Sequence, residues 1–432
     1  MPPDDFMSDS TPRARLRAAL EGFSAKKVAL KEGEAWALHD GAIVHKNRGF
    51  FSVIGARFDG MRFADSVFLY QPQSAIAGLL GKMEGAGASF LLQTRVEPGL
   101  VNGAQLAPTV QSTLANYLRL HGGHPTPNID YFTSYKADAK PHCESSQCDL
   151  GERYLMKVKR SSVIEVSADL PATGTLVWVS ATELRAAVME SLYLDMDLRS
   201  LLALAPWAAT ETGFCIEPSS SAIRKSLGEA IRPGVVGQIL ASLDERSLFR
   251  GFVPVTALDN WEWNEWGLFE KNPVEGFCVE FFETHTTSRE VGSWVQPLIN
   301  SRSPGRVVLL LRKNRGIVEV LVRISHERGY PKGVAVCASF LRYPGRPVGE
   351  AEARFDQRCA SSRTLAHTEE CDEGGRFFQD TNIYEVIEVD GEAGPDDGEW
   401  VTVAELKFLL GQSQVCSIQL RAISSMLLGV EI

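Results

Sequence analysis

The 432-residue chain lacks any long hydrophobic run; its longest apolar stretches, such as Val307 to Leu311, are strand-length. A membrane-spanning helix needs about 20 consecutive apolar residues, so no such helix is expected. The Pro/Asp/Ser-rich stretch from Met1 to Arg13 has no apolar signal-peptide core. It reads as a disordered lead-in to a short helix near Ala14 to Glu21, with the cytoplasm as the expected location. Cysteine is too thinly spread for a disulfide framework: eight are scattered along the chain, several in apolar settings such as Phe214-Cys215-Ile216 and Val336-Cys337-Ala338. Buried, inert thiols are expected. Basic blocks are missing too, and the net charge is −10, which argues against general nucleic-acid binding. One local basic pocket would still suffice for an anionic small molecule.

Familiar catalytic motifs are also absent. Gly78-Leu79-Leu80-Gly81-Lys82 lacks the P-loop spacing and the following hydroxyl residue. No strand-linked G-x-G-x-x-G marks a dinucleotide site, and no G-x-S-x-G marks a nucleophile elbow. His142 and Cys143 with Cys148 lack a fourth ligand, so no metal is expected there.

What is present is an internal duplication. Arg153-Tyr154-Leu155, Val163-Ile164-Glu165-Val166 and Trp178-Val179-Ser180-Ala181-Thr182-Glu183-Leu184 recur as Arg376-Phe377-Phe378, Val386-Ile387-Glu388-Val389 and Trp400-Val401-Thr402-Val403-Ala404-Glu405-Leu406. The offset is 223 residues for two blocks and 222 for the third. Ser180 and Thr402 each precede a Glu by three residues, a capping box that satisfies free amides at a helix start. Helices are therefore predicted from Ala181 to Met189 and Val403 to Leu410, each followed by a second, near Met196 to Leu204 and Ser417 to Leu428. Glu97-x-Gly99 with Gly103 matches Glu327-x-Gly329 with Gly333; Gln71-Pro72 matches Gln296-Pro297, and Trp36 matches Trp263. The expected layout is an α+β protein: a lead-in 1–29, a first unit 30–205, a helical connector 206–256 and a second unit 257–432. The connector's apolar helical faces serve either the chain's own core or an oligomer surface.

The first unit holds a polar stretch that the second lacks. Gln105, Thr109 and Gln111 recur at even spacing, so one strand would line a cleft with amides and a hydroxyl. Asn116, Tyr117 and His121 follow. Such groups suit sugar hydroxyls, although a solvated strand face and two tight turns would carry the same residues. The corresponding stretch, Val334 to Phe340, is mostly apolar, which makes the first unit the expected active one and the second a degenerate site.

Gly49-Phe50-Phe51-Ser52-Val53-Ile54-Gly55, Gln71-Pro72, Val96-Glu97-Pro98-Gly99 with Asn102-Gly103, and Gln105-Leu106-Ala107-Pro108-Thr109-Val110-Gln111 with Asn116-Tyr117 resemble the NDP-hexose 2,3-dehydratases of deoxysugar pathways. Ser293-Trp294-Val295-Gln296-Pro297-Leu298 and Gly374-Gly375-Arg376-Phe377-Phe378 extend the resemblance into the second unit. It implies a tandem repeat of Nudix-like modules in a homodimer, acting on a dTDP-4-keto-6-deoxyhexose without metal or nicotinamide cofactor. Departures include Tyr70 for a Trp, Arg95 for a Lys, the Lys157 to Ser162 segment, and an apparent insertion around Lys136 to Cys148.

The chemistry follows from the substrate so implied. The C4 ketone acidifies the C3 hydrogen, and the enolate expels the C2 hydroxyl to give, after tautomerisation, a 3,4-diketo-2,6-dideoxy sugar. A base, an acid and enolate donors are required. Glu97 or His121 is the expected base and Tyr117 the acid; Gln71, Asn102, Gln105, Thr109, Gln111 and Asn116 would hold the sugar, and Arg95 the diphosphate. The competing readings are a non-catalytic sugar-nucleotide sensor and a Nudix-type hydrolase, the latter opposed by the missing acidic metal box.

Overall fold

In the computed structural model, which describes residues 11–31, 35–59, 65–120, 122, 124–134, 136–243, 247–289, 291–390 and 398–432, two seven-stranded sheets organise the chain. The lead-in expected to be disordered falls largely on residues 1–10, outside the described residues. The helix behind it runs Pro12–Ala19, started by the Thr11 hydroxyl accepting from Ala14 N–H.

The first large sheet runs Ala139–Cys148, Val158–Val166, Ala75–Glu84, Gly87–Val96, Leu176–Ser180, with Ala104–Ala107 beside Gly87–Val96 and Val110–Ser112 beside Ala75–Glu84. The second runs Arg363–Cys371, Thr381–Glu388, Gly305–Asn314, Ile317–His326, Gly398–Thr402, with Val334–Cys337 and Phe340–Arg342 placed likewise. In each, the second and third strands of that order are parallel and their other neighbours antiparallel. Alternation along these strands sorts the side chains: Leu79, Phe90, Leu92 and Val163 enter the main core, while Leu80, Leu91 and Ile164 enter a second cluster on the other face. Leu309, Leu311 and Val386 against Leu310, Leu321 and Ile387 repeat the pattern.

The expected α+β class is observed. Both capping boxes form, with Glu183 N–H donating to the Ser180 hydroxyl and Glu405 N–H to the Thr402 hydroxyl. Such caps are worth about 1 kcal/mol each. They open Ala181–Ala187 and Val403–Gly411, which lead to the buried helices Met196–Leu204 and Ile418–Ser424. In the connector, Ser221–Leu227 and Pro233–Ala241 are helical, and Ile223, Val236 and Ile239 enter the chain's own core. Among the described residues, no helix is long and apolar enough to cross a membrane.

The segment read as an insertion is instead a regular strand. Ala139–Cys148 pairs along Val158–Val166, as Arg363–Cys371 pairs along Thr381–Glu388, each register carrying one irregularity. Its exposed, polar alternation hid the strand pattern.

The two halves exchange elements. Ser24–Lys27 pairs with Phe277–His285, and Phe249–Val253 pairs with Ser52–Phe58, so each half's entering strand completes a smaller sheet of the other. The Glu-x-Gly turns cross over as well: Gly99 N–H donates to Gly374 O at 2.8 Å, and Gly329 N–H to Gly151 O at 2.7 Å. A Cβ on Gly99 would collide with Phe377 O, and one on Gly329 with Tyr154 O, so only glycine allows this approach. A buried ion pair, Arg199 to Glu370 at 2.6 Å, ties one half's helix to the other's sheet.

Candidate active site

The crossing turns bring residues of both halves around one cavity of about 370 Å³. Its floor is the first large sheet and the loops leaving it, with Arg95, Glu97, Gln111, Thr113, Asn116, Lys157 and Lys159. One wall is aromatic, made by Trp36, His45, Phe50 and Phe51. The other comes from the C-terminal half: Arg289, Trp294, Gln296, Glu373, Gly375 and Arg376. Five cationic side chains and two carboxylates line it, in a chain of net charge −10, so the cavity favours an anion.

Each wall is fixed from behind. Trp36 Nε1 donates to Val295 O at 2.7 Å, joining the two walls. Trp294 Nε1 donates to Gln296 Oε1 at 3.0 Å, and Gln296 Nε2 to Gly375 O at 2.7 Å. The Arg376 guanidinium lies 4.1 Å over the Phe51 ring. Gln71 is buried; its Oε1 accepts from Lys157 Nζ at 2.9 Å and Arg376 Nη2 at 3.4 Å, bridging two cavity cations.

Lys159 is the electrostatic centre of the floor. Its ammonium lies 2.8 Å from Asp149, 2.9 Å from Asp197 and 3.4 Å from Glu373. Burial alone would lower Lys159, but these carboxylates outweigh it and hold the amine well above its ordinary range. Burial likewise opposes ionisation of Glu373, and Lys159, Arg376 and Lys157 overcome it and keep that carboxyl ionised. Behind Lys159, a small enclosed space adds Asp195 to this group. Burial and the neighbouring Asp197 push Asp195 well above the carboxylate range.

The structure brings some expected residues together and separates others. Glu97, Arg95, Gln111 and Asn116 line the cavity. Arg95 Nε donates to Glu97 Oε1 at 2.7 Å, and Arg289 reaches the same oxygen at 3.3 Å, so Glu97 serves two guanidiniums. Gln111 Nε2 donates to Asp197 Oδ2 at 2.6 Å, leaving its buried Oε1 without a partner.

Gln105, Thr109 and Gln111 do not share one strand, a correction to the even-spacing argument. The chain leaves its pairing with Gly87–Val96 at Ala107, passes Pro108, which has no N–H, and resumes against Ala75–Glu84 at Val110. Thr109 is turned inward: its hydroxyl accepts from Leu80 N–H and donates to Leu91 O. Ser339 makes the corresponding bridge between Leu310 N–H and Leu321 O, which identifies a strand staple in both halves. Gln105 is buried beside its strand partner Arg95 but outside the cavity lining. Asn102 is exposed at a turn, and Tyr117 packs against the cluster containing Ile76 and Leu80 on the opposite face of the sheet. His121 lies outside the described residues.

The sequence reading missed Lys157, Lys159, Asp197, Arg289 and Glu373, and it left Arg376 and Trp294 unassigned. Their signals were available. Two lysines at alternate positions entering a strand that runs into the apolar Val163-Ile164 pair are costly to bury unless used, and the Trp294 and Arg376 motifs already stood out.

The family model described as NDP-hexose 2,3-dehydratase matches residues 14–205 and 239–427. The chain is 27% identical over 403 residues to a dTDP-4-dehydro-6-deoxy-alpha-D-glucopyranose 2,3-dehydratase of Saccharopolyspora spinosa, covering 88% of this chain and 82% of that one. Proteins of the same description from Streptomyces violaceoruber and Amycolatopsis orientalis are 27% and 26% identical, covering 90% and 93% of this chain and 90% and 86% of theirs. Among solved structures, an ADP compounds hydrolase is 15% identical over 31% of this chain and 75% of its own, with a TM-score of 0.21, too slight a likeness to carry an argument.

Proposed function

The chain belongs to the NDP-hexose 2,3-dehydratase family, and from that premise we propose that the two-sided cavity is where an NDP-4-keto-6-deoxyhexose loses water across C2 and C3. The protein is a hydro-lyase of deoxysugar biosynthesis. The observation that carries the placement is the cavity's composition. It joins aromatic faces for a nucleobase, Trp36, Phe50 and Trp294, to guanidiniums for a diphosphate, Arg289 and Arg376. The buried lysines and carboxylates then face the hexose. A dTDP-linked substrate is favoured by the activity for which the three relatives are named.

Three finer features belong to the same reading. The halves are a tandem repeat of Nudix-like modules, supported by the matched strand orders, the shared capping boxes and the reciprocal strand exchange. The protein works as a homodimer, as the resemblance implies, with the cytoplasm as its expected location. In the site, Glu97 positions Arg95 and Arg289 rather than acting as the base, because both guanidiniums already engage its carboxylate.

Incubation with dTDP-4-keto-6-deoxyglucose in deuterated water tests this reading. Loss of one water with one deuterium carried at C2 of the product, and deuterium exchange at C3 of the remaining substrate, are expected by mass spectrometry. Binding without exchange would favour a sensor, and release of a nucleoside monophosphate would favour a hydrolase.

A further inference from the structure

We propose that Lys157 takes the C3 proton of the substrate and delivers it to the departing C2 oxygen, an inference that rests on the cavity being the dehydratase site. Lys157, immediately before the strand Val158–Val166, and Lys159 within it are alternate residues, and both line the cavity floor. Their partners differ sharply. Lys159 is held by Asp149, Asp197 and Glu373, whereas Lys157, 4% exposed, donates to a neutral acceptor, Gln71 Oε1. An amine locked among three carboxylates cannot give up its proton near neutral pH, while one facing an amide can.

The other titratable groups of the lining are committed elsewhere. Glu97 is shared by Arg95 and Arg289. His45 stands at the aromatic end, edge-on to Trp36 and Phe50, with Nδ1 accepting from Asn47 N–H. Around Lys157, Glu373 and Asp149 favour its charged form and Lys159 and Arg376 oppose it. Burial is the largest influence and brings Lys157 down to about 8, a range suited to a general base.

The step balances without a co-reactant. The neutral amine removes the C3 hydrogen, whose bonding pair becomes the C3–C4 enolate. As the C4 carbonyl re-forms, the C2–O bond breaks, and the Lys157 ammonium protonates the leaving oxygen to give water and a neutral amine. The C3 enol then tautomerises to the ketone by moving its hydroxyl proton to C2.

The test uses the full chain, dTDP-4-keto-6-deoxyglucose, and the variants Lys157→Met and Lys157→Arg. Both should lose about 10²–10⁴-fold in turnover and in C3 deuterium exchange, with unfolding midpoints near that of the parent. The parent's kcat/KM should climb with pH through about 8 and level off, a limb missing from both variants. Methylamine should restore part of the exchange in Lys157→Ala. Exchange within tenfold of the parent in Lys157→Met would overturn the assignment. Should Lys157→Met fail to fold, Lys157→Arg, which keeps bulk and charge, decides in the same way. A parent chain that neither binds nor dehydrates this substrate would overturn the cavity reading itself, and the Lys157 assignment with it.

Discussion

Glu97 and Glu327 occupy the same place in two like strand–turn arrangements, and their surroundings are opposite. Glu97 lines an open cavity and pairs with Arg95 and Arg289. Glu327 is fully buried; the Tyr343 hydroxyl donates to it at 2.6 Å, and Cys337 lies against its other oxygen. Where Thr113 leaves space on the N-terminal side, Tyr343 fills it on the other. The floor lysines have no counterparts: at Asp380 the carboxylate accepts from Ser301, and Asn382 donates to Asp372. The difference teaches that one architecture yields a site or a core according to the volume and charge of a few floor residues. The C-terminal half is not idle, since its turn and its Trp294 strand close the other half's cavity.

That contrast can be broken most severely at the floor. Lys159→Met would strand Asp149, Asp197 and Glu373 without their cation, and should cost about 3–5 kcal/mol in urea unfolding. Asn382→Met removes a neutral hydrogen bond to Asp372 and should cost about 1–3 kcal/mol. Equal losses would mean that the two floors do not differ as described.

A smaller effect is expected at the wall. Arg376→Ala should lower kcat/KM by roughly 10²-fold, as expected when a charged hydrogen-bonding partner of about 2–3 kcal/mol is lost. Arg153→Ala, at the N-terminal position matching Arg376, removes a buried guanidinium that reaches across to Pro344 O in the C-terminal half, and should act on stability instead. Steady-state kinetics beside thermal unfolding would separate them. A catalytic loss confined to Arg153→Ala would reverse the assignment of wall and core.

The mildest prediction concerns Glu327. Burial and the nearby Glu152 push it up to about 8, against the stabilising bond from Tyr343. A carboxyl raised in the folded state favours folding fully below its unfolded pKa of about 4.5, and that contribution fades as pH rises to about 8. Glu327→Gln should flatten the decline in stability across that window while leaving turnover near the parent's. An unchanged slope would show that Glu327 is ionised.

Much of the frame was readable from the chain. Ser180 and Thr402 announced their helices because capping is local, and Gly99 and Gly329 stood out because close backbone approach admits no other residue. The site was less legible. Even spacing misassigned Thr109 because Pro108 ends one strand pairing before the next begins, and Tyr117 ends a short helix, Leu114–Tyr117, that carries it to the opposite face. Arg376 and Glu373 reach the N-terminal floor through a crossing of turns between segments more than 200 residues apart. No local pattern encodes that crossing.

The most direct test of the central claim is Thr113→Tyr, which gives the open floor the side chain found at position 343. Isothermal titration with dTDP-glucose, alongside turnover of dTDP-4-keto-6-deoxyglucose, reads the result. The cavity account predicts that affinity and turnover both fall by about 10²-fold or more while the unfolding midpoint stays close to the parent's, as expected when bulk blocks a preformed pocket. Unchanged binding and turnover in a folded Thr113→Tyr protein would contradict it.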